Sequence, residues 1–290
     1  MSELLLPDMD PKIFNTRKND YAEMGSLFMG QDPGLLDTVY PKHQALRDLF
    51  REQRILDWDE FEVPLGSCNE EFKSRPKLIS KRMIDTLAWQ WEADSIAART
   101  MYAVMAPFIT SSELSRAWVK VTEIEHLHAV SYSEIVRNSF DDPKAVLGDV
   151  LSNVEALRRM SVLGDVLKHS YRISHELALG QHRREDIIAY DAAMMATVAW
   201  LALERVQFMA SFAVTCAITS SGMFVPIGNM VRRICQDEYE IHVQLDKYVL
   251  RHELSLPCGQ AFMRRNTQLI KDLFEDVIQA EFRWVDYMQL

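Results

Sequence analysis

A glutamate follows directly on a run of apolar residues in which no charge belongs. Residues 192–203 are apolar apart from Thr197, and Glu204 and Arg205 come next. The run is shorter than the ~20 apolar residues of a membrane span, so a helix that is apolar on all sides and buried at the centre of a bundle is the better interpretation. Burying a carboxylate costs several kcal/mol unless it is paired or bound to a metal, so Glu204 needs either an ion pair or a metal ion.

The composition indicates an ordinary folded protein that does not bind nucleic acid. Hydrophobic residues make up 48% of the chain and charged residues 26%, which excludes collagen-like and disordered classes. The 32 Lys and Arg residues against 42 Asp and Glu residues give a formal net charge of −10. A nucleic-acid partner is therefore disfavoured, because phosphate binding needs concentrated positive charge.

The cysteines and the N-terminus indicate a cytoplasmic protein. No Cys-x-x-Cys pair occurs, which argues against a disulfide framework and a zinc site; the four cysteines are Cys68, Cys216, Cys235 and Cys258. The leucines at 4–6 end at Pro7 and follow no basic leader, so we expect neither a signal peptide nor a membrane partner.

Helical periodicity without β-alternation predicts an all-α protein folded as a single domain, residues 1–290. Residues 1–75 form an N-terminal arm and lead-in segment, in which turn signals at 10–11, 32–34 and 63–66 flank one amphipathic segment, 43–53. Residues 76–290 form a helical bundle, with Ser111 and Ser112 as helix caps. Its predicted helices cover 80–104, 112–138, 142–179 with breaks, 186–218, 226–252 and 260–290.

Four of these helices each offer a carboxylate in an apolar setting. Glu125 and His128 lie three residues apart and Glu238 and His242 four apart, so each pair shares one face of its helix. One carboxylate from each of two helices and a Glu with a His from each of two others is the ligand set of a di-iron or di-manganese centre in a four-helix bundle. The six candidate ligands are Asp94, Glu125, His128, Glu204, Glu238 and His242.

Three segments resemble one family. In residues 125–138 a Glu-x-x-His motif is followed four residues later by Tyr132 and then by Arg-Asn; residues 203–213 carry Glu204 in an aromatic helix, and 234–238 end in Asp-Glu. Together, and in this order, they resemble the radical-generating small subunit of class I ribonucleotide reductases, which has a ferritin-like fold. The similarity runs, with gaps, from about Leu27 to Leu290.

This resemblance implies roles for the six ligands and for the residues around them. Asp94, Glu125 and His128 would bind one iron ion, and Glu204, Glu238 and His242 a second, with Glu125 and Glu238 as bridges. Manganese is an alternative metal at either position. Tyr132 would carry a stable radical behind an apolar shield of Phe208, Phe212 and Ile234, Trp58 would begin the electron route to the partner, and Asp237 would link Trp58 to His128.

The resemblance also implies an activity and partners. The iron site and O₂ would oxidise Tyr132, and a large subunit would use the radical to reduce ribonucleotides to deoxyribonucleotides. We expect a homodimer that pairs with this large subunit. Residues 284–290 resemble a motif from the middle of family members, after which further helices and a docking tail would ordinarily follow; either this sequence lacks them or the protein is a shortened version.

Two other functions fit a di-metal bundle. The first is a ferritin-like oxygenase or oxidase that acts on a small apolar substrate, which a substrate tunnel beside the metals would favour. The second is an iron-storage or interaction protein with a ferritin-like core. A tyrosine on the ligand face favours the ribonucleotide reductase function, and an arm carrying Trp58 makes storage the weakest of the three.

The spacing of Glu238 and His242 predicts an irregular helix. The family pattern is Glu-x-x-His, so this chain has one extra residue, which in a regular α-helix swings the histidine by roughly 100°. Both side chains still have to reach one metal. We therefore predict a π-type bulge between Ile234 and Val243. The alternative is a slip of register in which Tyr239 occupies the glutamate position.

Overall fold

The computed structural model describes residues 25–30, 34–36, 39 and 41–289. Among these residues there is no β-strand, only a single antiparallel bridge between Phe28 and Ile109. The helices are α1 (Gln44–Ile55), α2 (Cys68–Ser74), α3 (Lys77–Met105), α4 (Ser112–Ser139), α5 (Pro143–Leu151), α6 (Val154–Ala178), α7 (Ile187–Ala202), α8 (Met209–Ser220), α9 (Val225–Asp237), α10 (Val243–Ser255) and α11 (Pro257–Met288). The predicted all-α, ferritin-like fold is confirmed.

Several helices begin at the caps that the sequence indicates. The Ser111 hydroxyl accepts a hydrogen bond from the Leu114 backbone N–H at the start of α4. The Asp142 carboxylate accepts from the Lys144 and Ala145 backbone N–H groups at the start of α5, where Pro143 occupies the first turn. Such caps satisfy backbone donors that have no partner inside the helix.

Two π turns interrupt the core helices. Leu203–Phe208, the first π turn, joins α7 to α8, and Glu238–His242, the second π turn, joins α9 to α10. The predicted bulge between Ile234 and Val243 is therefore confirmed. The segment predicted as a helix over 186–218 is helical from Ile187 to Ser220, but the first π turn within it was not predicted. That turn leaves no mark in the sequence, since only one ligand lies on its helix and no second ligand reveals a shifted spacing.

The apolar stretch that contains Glu204 is a core helix. The continuous helical segment Ile187–Ser220 is long and apolar enough to cross a membrane by length and composition alone, with a mean hydropathy of 1.4. The helix is therefore longer than the run 192–203 alone indicates, but 78% of its apolar window is buried inside the protein, as predicted for a core helix.

The N-terminal region is fastened to the bundle by a buried glutamate. The Leu27 backbone N–H donates to Glu253 Oε1 over 2.6 Å, and the Ser26 hydroxyl donates to Glu253 Oε2 over 2.8 Å. The Tyr190 hydroxyl donates to the same carboxylate over 2.7 Å. The turn signals at 10–11 and 32–33 and the N-terminal leucines lie outside the described residues. Helices α1 and α2, within the predicted arm, place Trp58 between them.

Candidate metal centre

All six candidate ligands meet in the middle of the bundle. Helix α3 supplies one, α4 two, the first π turn one and the second π turn two. They are almost fully buried, with exposures of 0% for Asp94, Glu125, His128 and Glu238, 1% for Glu204 and 2% for His242. The Glu-x-x-His spacing on α4 and the two π turns therefore direct five of these side chains to the site, and α3 adds Asp94.

The ligand atoms form two overlapping groups, each within 4.8 Å. One consists of Asp94, Glu125, His128 and Glu238, and the other of Glu125, Glu204, Glu238 and His242. Glu125 and Glu238 belong to both, which is the arrangement of carboxylates that bridge two metal ions. His128 Nδ1 lies 3.0 Å from Glu238 Oε1, and His242 Nδ1 lies 3.0 Å from Glu125 Oε1. Both imidazoles thus turn Nδ1 toward the shared carboxylates.

Negative charge accumulates in this site without a lysine or arginine to balance it. Within the described part of the chain, no lysine or arginine pairs with the four carboxylates. The two oxygens of Asp94 and the two of Glu204 accept no hydrogen bond from the described residues. Burial, reinforced by neighbouring carboxylates, raises the pKa values of Asp94, Glu125 and Glu204. The charges of His242 and His128 outweigh burial at Glu238 and hold its pKa well below its usual range.

The two histidines hold protons tightly when only protein surrounds them. Burial opposes a charge on His128, but its contacts with Asp237 and Glu238 outweigh this and raise its pKa well above 6.5. Burial likewise opposes a charge on His242, and the carboxylates of Glu238 and Glu125 raise its pKa to about 10. Metal ions would displace these protons, because a histidine ligand binds through a deprotonated nitrogen.

Tyr132 lies one turn beyond His128 on α4 and is 1% exposed. Its hydroxyl makes no hydrogen bond within the described chain. Burial, followed by the negative charge of Asp94, raises the pKa of Tyr132 well above 10, so the phenol keeps its proton. The residues predicted to shield it are buried: Phe208 and Phe212 stack at 5.7 Å, and Ile234 is 0% exposed.

A chain of hydrogen bonds leads from the ligand His128 toward the surface. The Trp58 indole N–H donates to Asp237 Oδ2 over 2.7 Å, and His128 Nε2 lies 3.1 Å from the same oxygen. The Trp58 and His128 rings are stacked, with centroids 6.3 Å apart. The Arg233 guanidinium lies over the Trp58 ring, 6.0 Å from the ring centroid. Asp237 thus joins Trp58 to the metal site, as the resemblance implies.

Two buried polar residues near the ligand His242 are not predicted from the sequence. Gln53 on α1 is 1% exposed, and its Nε2 lies 3.4 Å from His242 Nε2. Asp246, one turn after His242, is 4% exposed, and burial raises its pKa well above the usual range against the opposing charge of His242. In the sequence, Gln53 could have been recognised as a polar residue on the apolar face of the amphipathic segment 43–53.

A buried ion pair supports the first π turn. The Arg159 guanidinium donates to both carboxylate oxygens of Glu281, over 2.7 and 2.6 Å. It also donates to the Gln207 backbone carbonyl over 2.8 Å and to the Ser211 hydroxyl over 2.7 Å. The Gln207 amide returns a bond to the Arg159 carbonyl over 3.1 Å. We call Arg159, Gln207 and Glu281 the arginine clamp; it fixes the turn that carries Glu204 against α6 and α11.

The donor set fits two metal ions. Carboxylate oxygens and imidazole nitrogens suit iron and manganese, and no thiolate that would favour zinc or an iron–sulfur cluster belongs to either ligand group. Two divalent ions would offset the charge of four buried carboxylates and bind the oxygens of Asp94 and Glu204 that accept no hydrogen bond. The all-α bundle with this ligand set defines a ferritin-like protein with a dinuclear metal site.

Comparison with known proteins identifies the family. A model described as "Ribonucleotide reductase, small chain" matches residues 39–289. The chain belongs to this family, as the small subunit of a class I ribonucleotide reductase, an oxidoreductase. It is 25% identical to ribonucleoside-diphosphate reductase 1 subunit beta of Salmonella typhimurium, over 95% of this chain and 76% of that one. These names support the ribonucleotide reductase function over that of an oxygenase with a small apolar substrate.

Solved structures share the fold. The R2 subunit of a ribonucleotide reductase from Clostridium botulinum matches with a TM-score of 0.82 at 16% identity, over 95% of this chain and 82% of that chain. A variant of an R2-like ligand-binding oxidase with a reconstituted Mn/Fe cofactor matches with a TM-score of 0.64 at 13% identity, over 88% of this chain and 86% of that chain. The same bundle therefore occurs in proteins of both kinds.

Proposed function

We propose that the site binds two iron ions, with manganese as the alternative metal at either position. Asp94, Glu125 and His128 would hold one ion, and Glu204, Glu238 and His242 the other, with Glu125 and Glu238 bridging. The membership of these two glutamates in both ligand groups supports the assignment. A dinuclear site rather than two separate ones also follows from the short distances between each histidine and the shared carboxylates.

Tyr132 is the residue that we propose to be oxidised. Two reduced metal ions bound here would supply electrons to O₂, and the oxidised site would accept one electron from a phenol. Tyr132 then gives up one electron, and its phenolic proton passes to a carboxylate. Asp94 is the proposed acceptor, because its charge acts most strongly on the phenol. Burial of the ring keeps water away, which extends the lifetime of a neutral radical.

Trp58, Asp237 and His128 form the proposed electron route. The large subunit would exchange an electron with Tyr132 through Trp58, whose ring stacks on His128 and whose N–H is bonded to Asp237. The Asp237 carboxylate also contacts His128 Nε2 and so fixes the ring orientation of a metal ligand. One short chain of contacts thus serves both electron transfer and metal binding.

We propose that the protein works with a large subunit that reduces ribonucleoside diphosphates, the substrate in the name of the Salmonella relative. The chain itself would bind no nucleotide. It would act in the cytoplasm as a homodimer, each copy being one helical domain in which residues 1–75 form an arm on the bundle of residues 76–290. The arm carries Trp58, which places the electron route on the side of the bundle that the arm covers.

The observation that carries the proposal is a buried tyrosine one turn beyond a histidine of a six-ligand di-metal site. The test is electron paramagnetic resonance after ferrous iron and O₂ are added to metal-free protein, together with metal analysis. We expect about two metals per chain and a tyrosyl signal. Tyr132→Phe should keep the metals and lose the signal, whereas Tyr239→Phe, at an exposed tyrosine on the second π turn, should keep both.

Two results would contradict the proposal. Fewer than about one metal per chain after anaerobic iron loading would remove the dinuclear site. A Tyr132→Phe variant that retains the radical signal and supports nucleotide reduction would move the radical to another residue. Loading with manganese in a parallel sample, followed by the same spectra, distinguishes the two metals.

A further inference from the structure

An apolar cavity lies beside the metal ligands, between α3, α6 and the segment that leads into the first π turn. Its volume is about 450 Å³, and its lining is almost entirely apolar. Ala93, Trp200 and Leu203 form part of its floor and are 0–3% exposed. Ile96 and Leu157 stand at its mouth, exposed by 41% and 49%. The cavity thus runs from the surface to a buried floor.

The floor touches the metal site through adjacent residues of the chain. Ala93 precedes the ligand Asp94, and Leu203 precedes the ligand Glu204. Neighbouring Cα atoms are about 3.8 Å apart, so the backbone of the cavity floor continues directly into that of two of the six ligands. The ligands themselves are at most 2% exposed, so a molecule that reaches them from the cavity has to pass the buried side chains of its floor.

A glycine widens the mouth of the cavity. Gly164 lies in the interior of α6, where glycine costs roughly 0.5–1 kcal/mol relative to alanine. An added Cβ at this position would meet no atom within 4 Å. Close packing therefore does not demand a glycine here, and its effect is to leave the mouth open on the α6 side.

We propose that this cavity admits dioxygen to the metal site, an inference that rests on the proposed function. Dioxygen is small and apolar, and apolar protein cavities bind small apolar molecules such as xenon. The cavity combines an apolar lining, a mouth at the surface and a floor formed by neighbours of two ligands. Trp200 and Leu203 are the side chains that have to yield for dioxygen to pass from the floor to the ligands.

The test uses xenon as a probe and a variant that covers the mouth. Xenon binding to metal-free protein, measured by the ¹²⁹Xe chemical shift, should be seen in the parent protein and be lost in Gly164→Leu. Gly148→Leu is the matched control, because Gly148 is also an exposed helical glycine with no atom within 4 Å of an added Cβ. Ser161→Leu, one turn before Gly164 at the same mouth, should behave as Gly164→Leu does.

Stopped-flow measurement of O₂ consumption by the iron-loaded protein completes the test. We expect the second-order rate constant to fall about tenfold in Gly164→Leu, because association slows when a side chain has to move before binding can occur. It should stay unchanged in Gly148→Leu. Equal rate constants in Gly164→Leu, Ser161→Leu and the parent protein would overturn the proposal, as would xenon binding that neither variant reduces.

Failure of the proposed function gives a different result. If the loaded parent protein consumes no O₂, the proposed function fails, and the xenon measurement still reports on the cavity. If Gly164→Leu separates a dimer on gel filtration without slowing O₂ consumption, the cavity belongs to a face between two copies, and the dioxygen route is overturned.

Discussion

The two π turns place ligands in the same metal site, but they are held in different ways. The first π turn carries Glu204, and its Gln207 carbonyl accepts a hydrogen bond from the fully buried Arg159. The second carries Glu238 and His242, and its Tyr239 carbonyl accepts a bond of 3.1 Å from the exposed side-chain amide of Gln244. A turn that deviates from the α-helical pattern leaves backbone groups to be satisfied elsewhere.

The difference shows which contacts hold each ligand in place. Glu204 is alone on its turn and depends on the arginine clamp, which ties the turn to α6 and α11. Glu238 and His242 restrain each other, with His242 Nδ1 2.7 Å from Glu238 Oε2 and 3.0 Å from Glu125 Oε1. The first turn is therefore fixed from outside the site and the second from inside it.

The largest expected effect comes from breaking the arginine clamp. Arg159→Met leaves the Glu281 carboxylate, 13% exposed, without its partner, and removing one member of a buried ion pair costs about 3–5 kcal/mol. We expect a loss of this size in the free energy of unfolding of metal-free protein, measured with urea. Metal analysis should show that the position containing Glu204 is lost first.

Two further variants test whether the clamp, rather than general packing, is responsible. Gln244→Ala removes the corresponding bond at the second π turn and should change the free energy of unfolding by no more than about 0.5 kcal/mol. Arg159→Met combined with Glu281→Leu replaces both charges by apolar groups and should recover much of the loss. Equal losses in Arg159→Met and Gln244→Ala would show that the two turns are held alike.

The pKa values of the buried ligands predict how the stability of the metal-free protein depends on pH, the next largest effect. In metal-free protein Glu204, Asp94 and His242 all have raised pKa values, so the folded state binds more protons than the unfolded state. For His242 the contribution to stability is complete below 6.5 and is lost as the pH rises through about 10. Glu238, whose pKa is lowered, acts in the opposite direction only at acidic pH.

We therefore expect metal-free protein to become less stable between about pH 6.5 and 10, measured by urea denaturation at several pH values. Metal affinity should show the reverse trend, because binding displaces protons from the histidines. Stability of the metal-free protein that rises over this range would contradict the proton uptake. A His242→Asn variant should show a weaker loss, since it keeps the shape but lacks the titrating ring.

Much of the fold and of the candidate site follows from the sequence. Carboxylates such as Glu204 and Asp94 in apolar helices indicate buried charge that needs compensation, and helical spacing brings Glu125, His128 and Tyr132 onto one face. The second π turn follows from the four-residue spacing of Glu238 and His242, because both side chains have to reach the same metal. These inferences rest on residue spacings within a single helix, which can be read directly from the sequence.

The rest depends on contacts between distant parts of the chain. Arg159 and Glu281 are 122 residues apart, and Gln53 and His242 are 189 apart, so no local spacing links them. Leu203–Phe208 carries a single ligand, and a one-residue shift beside a single ligand changes no spacing that could be observed. A buried arginine was also indistinguishable in sequence from the exposed Arg158 beside it.

The smallest expected effect comes from removing the extra residue of the second π turn. Deleting Glu240 turns Glu238-Tyr239-Glu240-Ile241-His242 into Glu-x-x-His, the spacing of Glu125 and His128. A π turn holds one residue more than the regular helix, so the deletion should leave a regular α-helix with α9 and α10 in their present registers. Glu240 is exposed, and its loss removes only a 3.3 Å contact with the Gln236 amide.

Because the glutamate and histidine still share a face three residues apart, the deletion variant should bind about two metals and keep the stability of the parent within about 1 kcal/mol. Deleting Val206 from the first π turn is the matched comparison, since it alters the turn whose Gln207 carbonyl the arginine clamp binds and should cost far more. If the Glu240 deletion lost the metal position that includes His242, the second turn would also depend on its surroundings, and the contrast between the two turns would fail.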